Sequence, residues 1–172
     1  MNTSKILRPF LIILSVALIF LLTFYILTLF IGKKDPRPAL DITGVEADGK
    51  TLHSLSEHLG KEPVALVFFE LEHRHSQEVM QRIVPKAEEL GVEVVAVCVS
   101  DLTIEESLAR MKELEMPTPA HLLFDLDGAM AKKYNVSAAP CTYFIDKNGM
   151  MVDAYLGTIS EKSAAAELEE IA

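Results

Sequence analysis

Residues 70–76 carry the densest group of side chains in the chain that could do chemistry. Carboxylates and imidazoles alternate there, and the group comprises Glu70, Glu72, His73 and His75. Imidazole and carboxylate groups suit zinc, copper or nickel as ligands. The pattern therefore predicts a metal site in this loop that uses His73 and His75. A solvated polar loop at the start of a helix is the alternative interpretation, and it needs no metal.

The chain contains two cysteines, Cys98 and Cys141, which form no Cys-x-x-Cys motif and are too few for a disulfide framework. Cys98 lies in a β-branched apolar run and is predicted to be a core residue. Cys141 directly follows Pro140 at the start of another apolar run. Two interpretations of Cys141 remain open. It is either a small hydrophobic residue at a strand start or a reactive thiol with a catalytic role.

The other histidines are His53, His58 and His121, which are scattered along the sequence. Nothing in the sequence places them together, so we interpret each one as an isolated structural residue. The sequence contains no phosphate-binding glycine loop, and we predict no cofactor.

Hydrophobic patterns predict the elements that must position these groups. Residues 64–69 and 92–99 are apolar runs typical of strands that are buried on both faces. A helix is predicted over about residues 76–90, with Pro85 kinking it and Gly91 ending it.

Turn and capping signals complete the predicted order of elements. Asp48-Gly49 and Asn148-Gly149 each indicate a hairpin. A final helix is predicted to follow Ser160. The core order β-α-β-α-β-β-α predicts an α/β fold with a mixed central sheet flanked by helices on both sides.

The N-terminal part of the chain contains an apolar segment long enough to span a membrane. Residues 10–31 are 22 positions without a charged side chain, and about 20 apolar residues suffice to cross a bilayer as a helix. A cleaved signal peptide usually has a shorter apolar region of about 7–15 residues. We therefore predict an uncleaved signal anchor: a flank at 1–9, one transmembrane helix at 10–31, a linker at 32–38 and a folded domain at 39–172.

The charge of the chain is unevenly distributed. Residues 1–38 carry a net charge of +4. Because the whole chain carries −9, residues 39–172 carry −13. Because nucleic acid repels so acidic a domain, nucleic-acid binding is excluded. The membrane is a predicted partner through the anchor. Two basic residues precede the apolar segment and three follow it, which leaves its orientation open.

Four segments together resemble the thioredoxin-like superfamily, in particular membrane-anchored thiol–disulfide oxidoreductases of the TlpA type and the alkyl hydroperoxide reductase–redoxin group. The similar segments are residues 48–55, 63–69, 124–136 and 139–149, and the resemblance extends over residues 39–172. It implies a thioredoxin-like fold, a cis peptide bond before Pro140, a domain on the extracytoplasmic side and a role in cell redox homeostasis.

The resemblance also identifies a departure from the family's redox centre. His73 and Ser76 stand where relatives have the two cysteines of the Cys-x-x-Cys pair. A serine hydroxyl does not ionise near neutral pH, and thiol–disulfide exchange needs a thiolate. Dithiol activity is therefore not predicted, and Ser76 is predicted to cap the helix instead.

By the same resemblance, the loop of Pro140 and Cys141 faces this corner of the fold. A thiol there would lie near His73, which could favour its thiolate form. The family's strand order also places residues 64–69 between the strands of Cys98 and Cys141. Two strand spacings of about 9–10 Å are too long for a disulfide. We therefore predict two free thiols.

These observations favour a membrane-anchored binding or assembly module without a dithiol centre. Its predicted protein partner contacts the corner formed by His73, Ser76 and Pro140. Two alternatives remain open: a thiol oxidoreductase that acts through Cys141, and a metal-binding protein that uses His73 and His75.

Overall fold

The computed structural model describes residue 16, residues 18–23 and residues 36–172. Residues 18–23 are helical. Within this described part of the chain, no helix has the length and hydropathy that a membrane span requires. The predicted flank at 1–9, most of the predicted transmembrane helix at 10–31 and most of the predicted linker lie outside the described residues.

Residues 36–172 contain eight strands that form one mixed sheet. The strands are β1 (Arg37–Pro38), β2 (Thr43–Glu46), β3 (Leu52–Ser54), β4 (Val64–Phe69), β5 (Glu93–Cys98), β6 (His121–Phe124), β7 (Cys141–Ile145) and β8 (Met150–Leu156). Their order across the sheet is β1-β8-β7-β4-β5-β6-β2-β3. β4, β5 and β6 are parallel, and the other neighbouring pairs are antiparallel.

Helices cover both faces of this sheet. They are α1 (Arg74–Leu90), α2 (Ile104–Glu113), α3 (Ala129–Lys133) and α4 (Glu161–Ile171), and a 3₁₀ turn spans Leu55–Glu57. Buried residues of α1, α2 and α4 form one hydrophobic cluster, and those of α3 belong to a second one. The predicted mixed sheet with helices on both sides is therefore confirmed.

β4 is the central strand of the sheet, and all six of its residues are fully buried. Successive side chains of a strand point to opposite faces. Accordingly, Phe68 packs in the cluster of α3, whereas Phe69 packs in the cluster of α1. An uninterrupted apolar run is what a strand with both faces covered requires. The chain leaves the carboxyl end of β4 directly into the segment of residues 70–76.

Local signals account for most of the element boundaries. Gly49 and Gly149 have φ angles of +69° and +78° in the two predicted hairpin turns, and Gly91 ends α1 with a φ of +70°. α1 runs through Pro85 as one helix. Residues 37 and 38, which the sequence places in the linker, pair instead with β8 at the edge of the sheet.

Candidate functional site

The turn between β4 and α1 is held by the backbone of His73 and the hydroxyl of Ser76. His73 is the N-cap of α1, and its carbonyl accepts the N–H of Ser76 at 2.9 Å. The predicted cap by Ser76 is therefore wrong, because the helix begins two residues before it. Ser76 is fully buried, and its Oγ accepts the N–H of Glu70 at 3.1 Å. The hydroxyl ties the end of β4 to the first turn of α1.

The imidazoles of His73 and His75 lie at the surface beside each other. Their ring centroids are 5.4 Å apart, and both residues are exposed. His75 Nδ1 lies 3.7 Å from a carboxylate oxygen of Glu78. Within the described residues, the two histidines are not part of any group of three possible metal ligands. The metal site predicted on His73 and His75 stays a prediction.

Glu72 connects this turn to α2. Its two carboxylate oxygens accept hydrogen bonds from Nε and Nη2 of Arg110 at 2.6 and 2.9 Å. Arg110 Nη1 also donates to Glu113 at 2.8 Å. The side-chain hydrogen bond from Arg110 lowers the pKa of Glu72, so this carboxylate stays ionised at neutral pH.

The peptide bond between Ala139 and Pro140 is cis, as the resemblance implied. Cys141 is opposite Phe68 in the register of β7 and β4, which places Pro140 beside the end of β4, where the turn begins. The thiol of Cys141 does not point toward α1. Cys141 is buried in the hydrophobic cluster of α3, whereas the buried residues of α1 belong to the cluster on the other face.

The surroundings of Cys141 favour the protonated thiol. Its Sγ donates to Tyr143 Oη at 3.4 Å, and that hydroxyl donates to the carbonyl of Tyr134 at 3.1 Å. Burial raises the pKa of the Cys141 thiol. This environment gives no support to a thiolate stabilised by His73. Catalysis through Cys141 stays a prediction.

Cys98 and Cys141 are separated by the central strand. Both cysteines are free and buried, and β4 lies between β5 and β7 in the sheet. They also belong to different hydrophobic clusters, one on each face. Burial raises the pKa of Cys98 to about 12. The predicted separation of the two thiols is confirmed.

A cleft of about 760 Å³ opens at the carboxyl ends of the three parallel strands. Its lining consists of residues 70–72 after β4, 99–102 after β5 and 125–128 after β6. Ligands of open α/β sheets bind outside the carboxyl ends of parallel strands. Carboxylates of five lining residues make the cleft acidic. They are Glu70, Glu72, Asp101, Asp125 and Asp127.

Two of these carboxylates have structural roles. Asp125 is buried, and its two oxygens accept the N–H groups of Met130 and Ala131 at 3.0 and 2.8 Å. Asp127 accepts the N–H of Ala129 at 3.0 Å. Both therefore fix the first turn of α3. Leu102 and Leu126 add apolar surface to the cleft, because their side chains are 38% and 59% exposed.

A second group of side chains that could do chemistry is visible only in the structure. His53, His58 and His121 come together, and their possible ligand atoms lie within 4.8 Å of one another. The interpretation of these histidines as isolated residues is therefore wrong. Burial and the neighbouring His121 lower the pKa of His53. A local signal existed in the spacing of His58 and Glu62, which are four residues apart and paired, but no local pattern points to His121.

Comparisons with known proteins agree with this architecture. The profile of the AhpC/TSA family matches residues 35–154. The thiol–disulfide oxidoreductase ResA of Geobacillus kaustophilus is 30% identical over 93 residues, which are 54% of this chain and 51% of ResA. The match thus spans about half the length of that relative.

Solved structures with low sequence identity share the fold. A DsbF homologue from Corynebacterium diphtheriae has a TM-score of 0.67 at 18% identity, covering 79% of this chain and 87% of its own. A secreted thiol–disulfide isomerase from Corynebacterium glutamicum has a TM-score of 0.64 at 18% identity, covering 78% and 87%. The exposed lipoprotein thioredoxin Etrx1 of Streptococcus pneumoniae has a TM-score of 0.61 at 23% identity, covering 76% and 99%. The thioredoxin-like fold predicted for this domain is therefore confirmed.

Proposed function

The chain belongs to the AhpC/TSA family, and on that premise we propose that it is a membrane-tethered binding or assembly module rather than a dithiol oxidoreductase. The observation that carries the proposal is the first turn of α1. There the side chain of His73 is exposed and the hydroxyl of Ser76 is buried. The sequence resemblance implies that these two residues stand where oxidoreductase relatives have cysteines. Thiol–disulfide exchange requires a thiolate that attacks a sulfur atom.

The buried hydroxyl supports a structural role for this turn. A cysteine thiolate at a helix N-terminus would be stabilised by the helix dipole and by free N–H groups. Ser76 instead uses its Oγ to hold the N–H of Glu70. The turn therefore has a structural hydroxyl at Ser76, and residues 70–76 contain no cysteine.

The partner surface in this proposal includes the exposed turn and the adjoining cleft. Glu70 and Glu72 belong to both, and Leu102 and Leu126 contribute exposed apolar side chains on the cleft side. An acidic cleft with apolar contacts suits a protein segment that presents basic and apolar side chains. Pro140 borders the turn from the other side of β4 and is buried, so it supports the turn and is not part of the exposed surface.

The proposed location is the outer side of a membrane, with residues 10–31 as the anchor. The apolar run in the sequence supports the anchor. Among the similar proteins, the isomerase of C. glutamicum is described as secreted and Etrx1 as an exposed lipoprotein. These descriptions support an extracytoplasmic domain.

Insulin disulfide reduction tests the loss of dithiol chemistry. We expect the full chain and its Cys141→Ser variant to show the same background rate. The double variant His73→Cys/Ser76→Cys should gain activity, because the first turn of α1 can stabilise a thiolate. Each single cysteine variant serves as its matched control. Turnover by the original chain that disappears in Cys141→Ser would overturn the proposal and favour the Cys141 oxidoreductase.

Site-specific photocrosslinking in native membranes tests the partner surface. A photoreactive amino acid at Leu126 or at His73 should give the same crosslinked protein adduct. Leu52 is the matched control, because it is 66% exposed and lies on β3 at the far edge of the sheet. No adduct at the first two positions, or an equal adduct at Leu52, would contradict the proposed surface.

A further inference from the structure

Three histidines from separate segments meet at the far edge of the sheet. His53 lies on β3, His58 ends the 3₁₀ turn, and His121 is the first residue of β6. The Nε2 atoms of His53 and His58 are 2.8 Å apart, and the rings of His53 and His121 stack with centroids 3.9 Å apart. His53 and His58 are buried, and the side chain of His121 is 26% exposed.

Pairing across β2 brings these segments together. β2 lies between β6 and β3 in the sheet, so it joins the strand of His121 to the strand of His53. The 3₁₀ turn follows β3 directly and returns His58 toward the ring of His53. Within the described residues, this is the one group of three or more side chains whose ligand atoms could hold a metal ion.

Carboxylates face the outer nitrogen of each imidazole. His58 Nδ1 lies 2.5 Å from Glu62 and His121 Nδ1 lies 3.1 Å from Glu46. His53 Nδ1 lies 3.5 Å from Glu57. Metal-ligating histidines usually donate their second N–H to such a carboxylate, which fixes the tautomer and makes the imidazole more basic. With the proton of each ring on its outer nitrogen, the Nε2 lone pairs of His53 and His58 are directed at each other.

A lone pair opposite a lone pair at 2.8 Å requires a cation or a proton between the two nitrogens. A proton on His53 Nε2 would satisfy His58. In a neutral ring, however, it would leave His53 Nδ1 without a proton 3.5 Å from the carboxylate of Glu57. A doubly protonated His53 would place a positive charge in a buried position, which costs desolvation energy. A metal ion satisfies the two Nε2 atoms while the outer nitrogens of His53 and His58 still face the carboxylates of Glu57 and Glu62.

We propose that His53, His58 and His121 bind one divalent transition-metal ion of the zinc class. Imidazole nitrogens suit this class, and three histidines leave a fourth position for a carboxylate or water. Glu93 lies near that position, because its Oε1 is 3.8 Å from His121 Nε2. The carboxylates of Glu46, Glu57, Glu62 and Glu93 surround the cluster and offset the charge of the ion.

The ligand distances are within reach of this geometry. Tetrahedral zinc with Zn–N bonds of about 2.0–2.1 Å places its nitrogens about 3.3–3.4 Å apart. The observed separations run from 2.8 Å to at most 4.8 Å. The rings of His53 and His121 are stacked nearly parallel, so binding an ion requires them to turn relative to each other until both direct a nitrogen at it. The bound ion would cross-link β3, the 3₁₀ turn and β6.

This site is distinct from the proposed partner surface. Glu93 and His121 are the first residues of β5 and β6, whereas the acidic cleft lies at the carboxyl ends of the same strands. Along the four residues of β6, His121 lies roughly 13 Å from the cleft end of the strand at 3.3 Å per residue. Metal binding and partner binding can therefore be tested independently.

Titration calorimetry with Zn²⁺ on the full chain in mild detergent tests the proposal. We expect one ion per chain, and we expect His121→Ala and His58→Ala each to weaken binding at least tenfold. Glu62→Gln should weaken binding by about 10–100-fold, since it removes an outer-shell partner of His58. The matched control is His73→Ala/His75→Ala, which removes two imidazoles elsewhere and should bind like the original chain.

Co²⁺ provides a second readout that separates binding from folding. A tetrahedral Co²⁺ site gives visible absorption bands, and these should be lost in His121→Ala while the far-ultraviolet circular dichroism is unchanged. His121 is the most informative position because it is the least buried of the three. No saturable Zn²⁺ uptake by the original chain would overturn the proposal. Uptake lost in His73→Ala/His75→Ala but retained in His121→Ala would also overturn it.

Discussion

At the scale of single residues, the surroundings of Cys141 determine how its thiol reacts. Burial raises its pKa, and Tyr143 Oη accepts its proton in a hydrogen bond. Because the thiolate is the reactive form, we expect slow alkylation of Cys141 in the folded chain. A Cys98→Ser variant isolates this thiol. Its iodoacetamide labelling should be several-fold slower in the folded chain than in urea.

The pH dependence of iodoacetamide labelling shows whether the pKa of the Cys141 thiol is raised or lowered. With the pKa raised above its ordinary value of 9.0, the labelling rate should still be rising at pH 9.0. The Cys141→Ser variant reports on Cys98, which should react more slowly still because its pKa is about 12. A labelling rate for Cys141 that levels off near neutral pH would mean that a neighbouring cation stabilises the thiolate. Such a result would favour the oxidoreductase alternative over the binding module.

Residue types in the β4–α1 turn were readable from sequence, but their roles were not. The absence of cysteine at His73 and Ser76 follows directly from the chain. The role of Ser76 depends on where the helix begins, and α1 begins at Arg74 rather than at Ser76. Inside the first turn, the hydroxyl reaches back to Glu70 instead of capping the helix. A shift of two residues in a helix start thus changes the function of one side chain.

At the scale of elements, the start of α2 depends on a capping box. Thr103 Oγ1 accepts the N–H of Glu106 at 3.3 Å, and Glu106 Oε2 accepts the N–H of Thr103 at 2.9 Å. Replacing a threonine N-cap by alanine typically costs about 1 kcal/mol. We expect Thr103→Ala to lower the free energy of unfolding by about this amount in urea denaturation. Thr158→Ala, at an exposed threonine outside the helices, should leave the free energy of unfolding nearly unchanged.

The same capping box predicts a pH dependence with a definite sign. Hydrogen bonds from the side chain and backbone of Thr103 lower the pKa of Glu106 below 4.5. Its contribution to stability is therefore present above pH 4.5 and is lost as the pH falls through the lower folded-state pKa. The stability difference between the original chain and Glu106→Gln should shrink in acid. A difference that stays constant down to pH 2 would contradict a role for the charged form.

Elements specified by short-range patterns were predictable, whereas contacts between distant elements were not. The apolar run of β4 and the Asp-Gly and Asn-Gly turns all act within a few residues, and each one is present in the structure. The histidine cluster requires β2 to pair with β6 as well as with β3. The pairing of β2 with β6 determines the edge of the sheet at which the β2–β3 hairpin lies. No sequence pattern within the hairpin or within β6 predicts this pairing.

At the scale of the whole molecule, two strands with both faces buried and a strongly acidic domain were predictable from the sequence. Residues 39–172 carry a net charge of −13, and self-repulsion of that charge destabilises the compact state. Exposed ion pairs such as Arg110 with Glu72 oppose this only slightly, because water and salt screen the attraction between exposed charges.

Screening should therefore stabilise the folded domain. The Debye length falls from about 30 Å at 0.01 M salt to about 8 Å at 0.15 M, which suppresses repulsion across the domain more than it weakens pairs in contact. We expect the Tm measured by calorimetry to rise between these two salt concentrations. NaCl and KCl should give equal shifts, since ionic strength rather than a particular cation is responsible. A Tm that falls with added salt would mean that favourable ion pairs outweigh the net repulsion. In that case nearby cations would neutralise the carboxylates of the acidic cleft. The proposed preference of the cleft for a basic partner would then have no electrostatic basis.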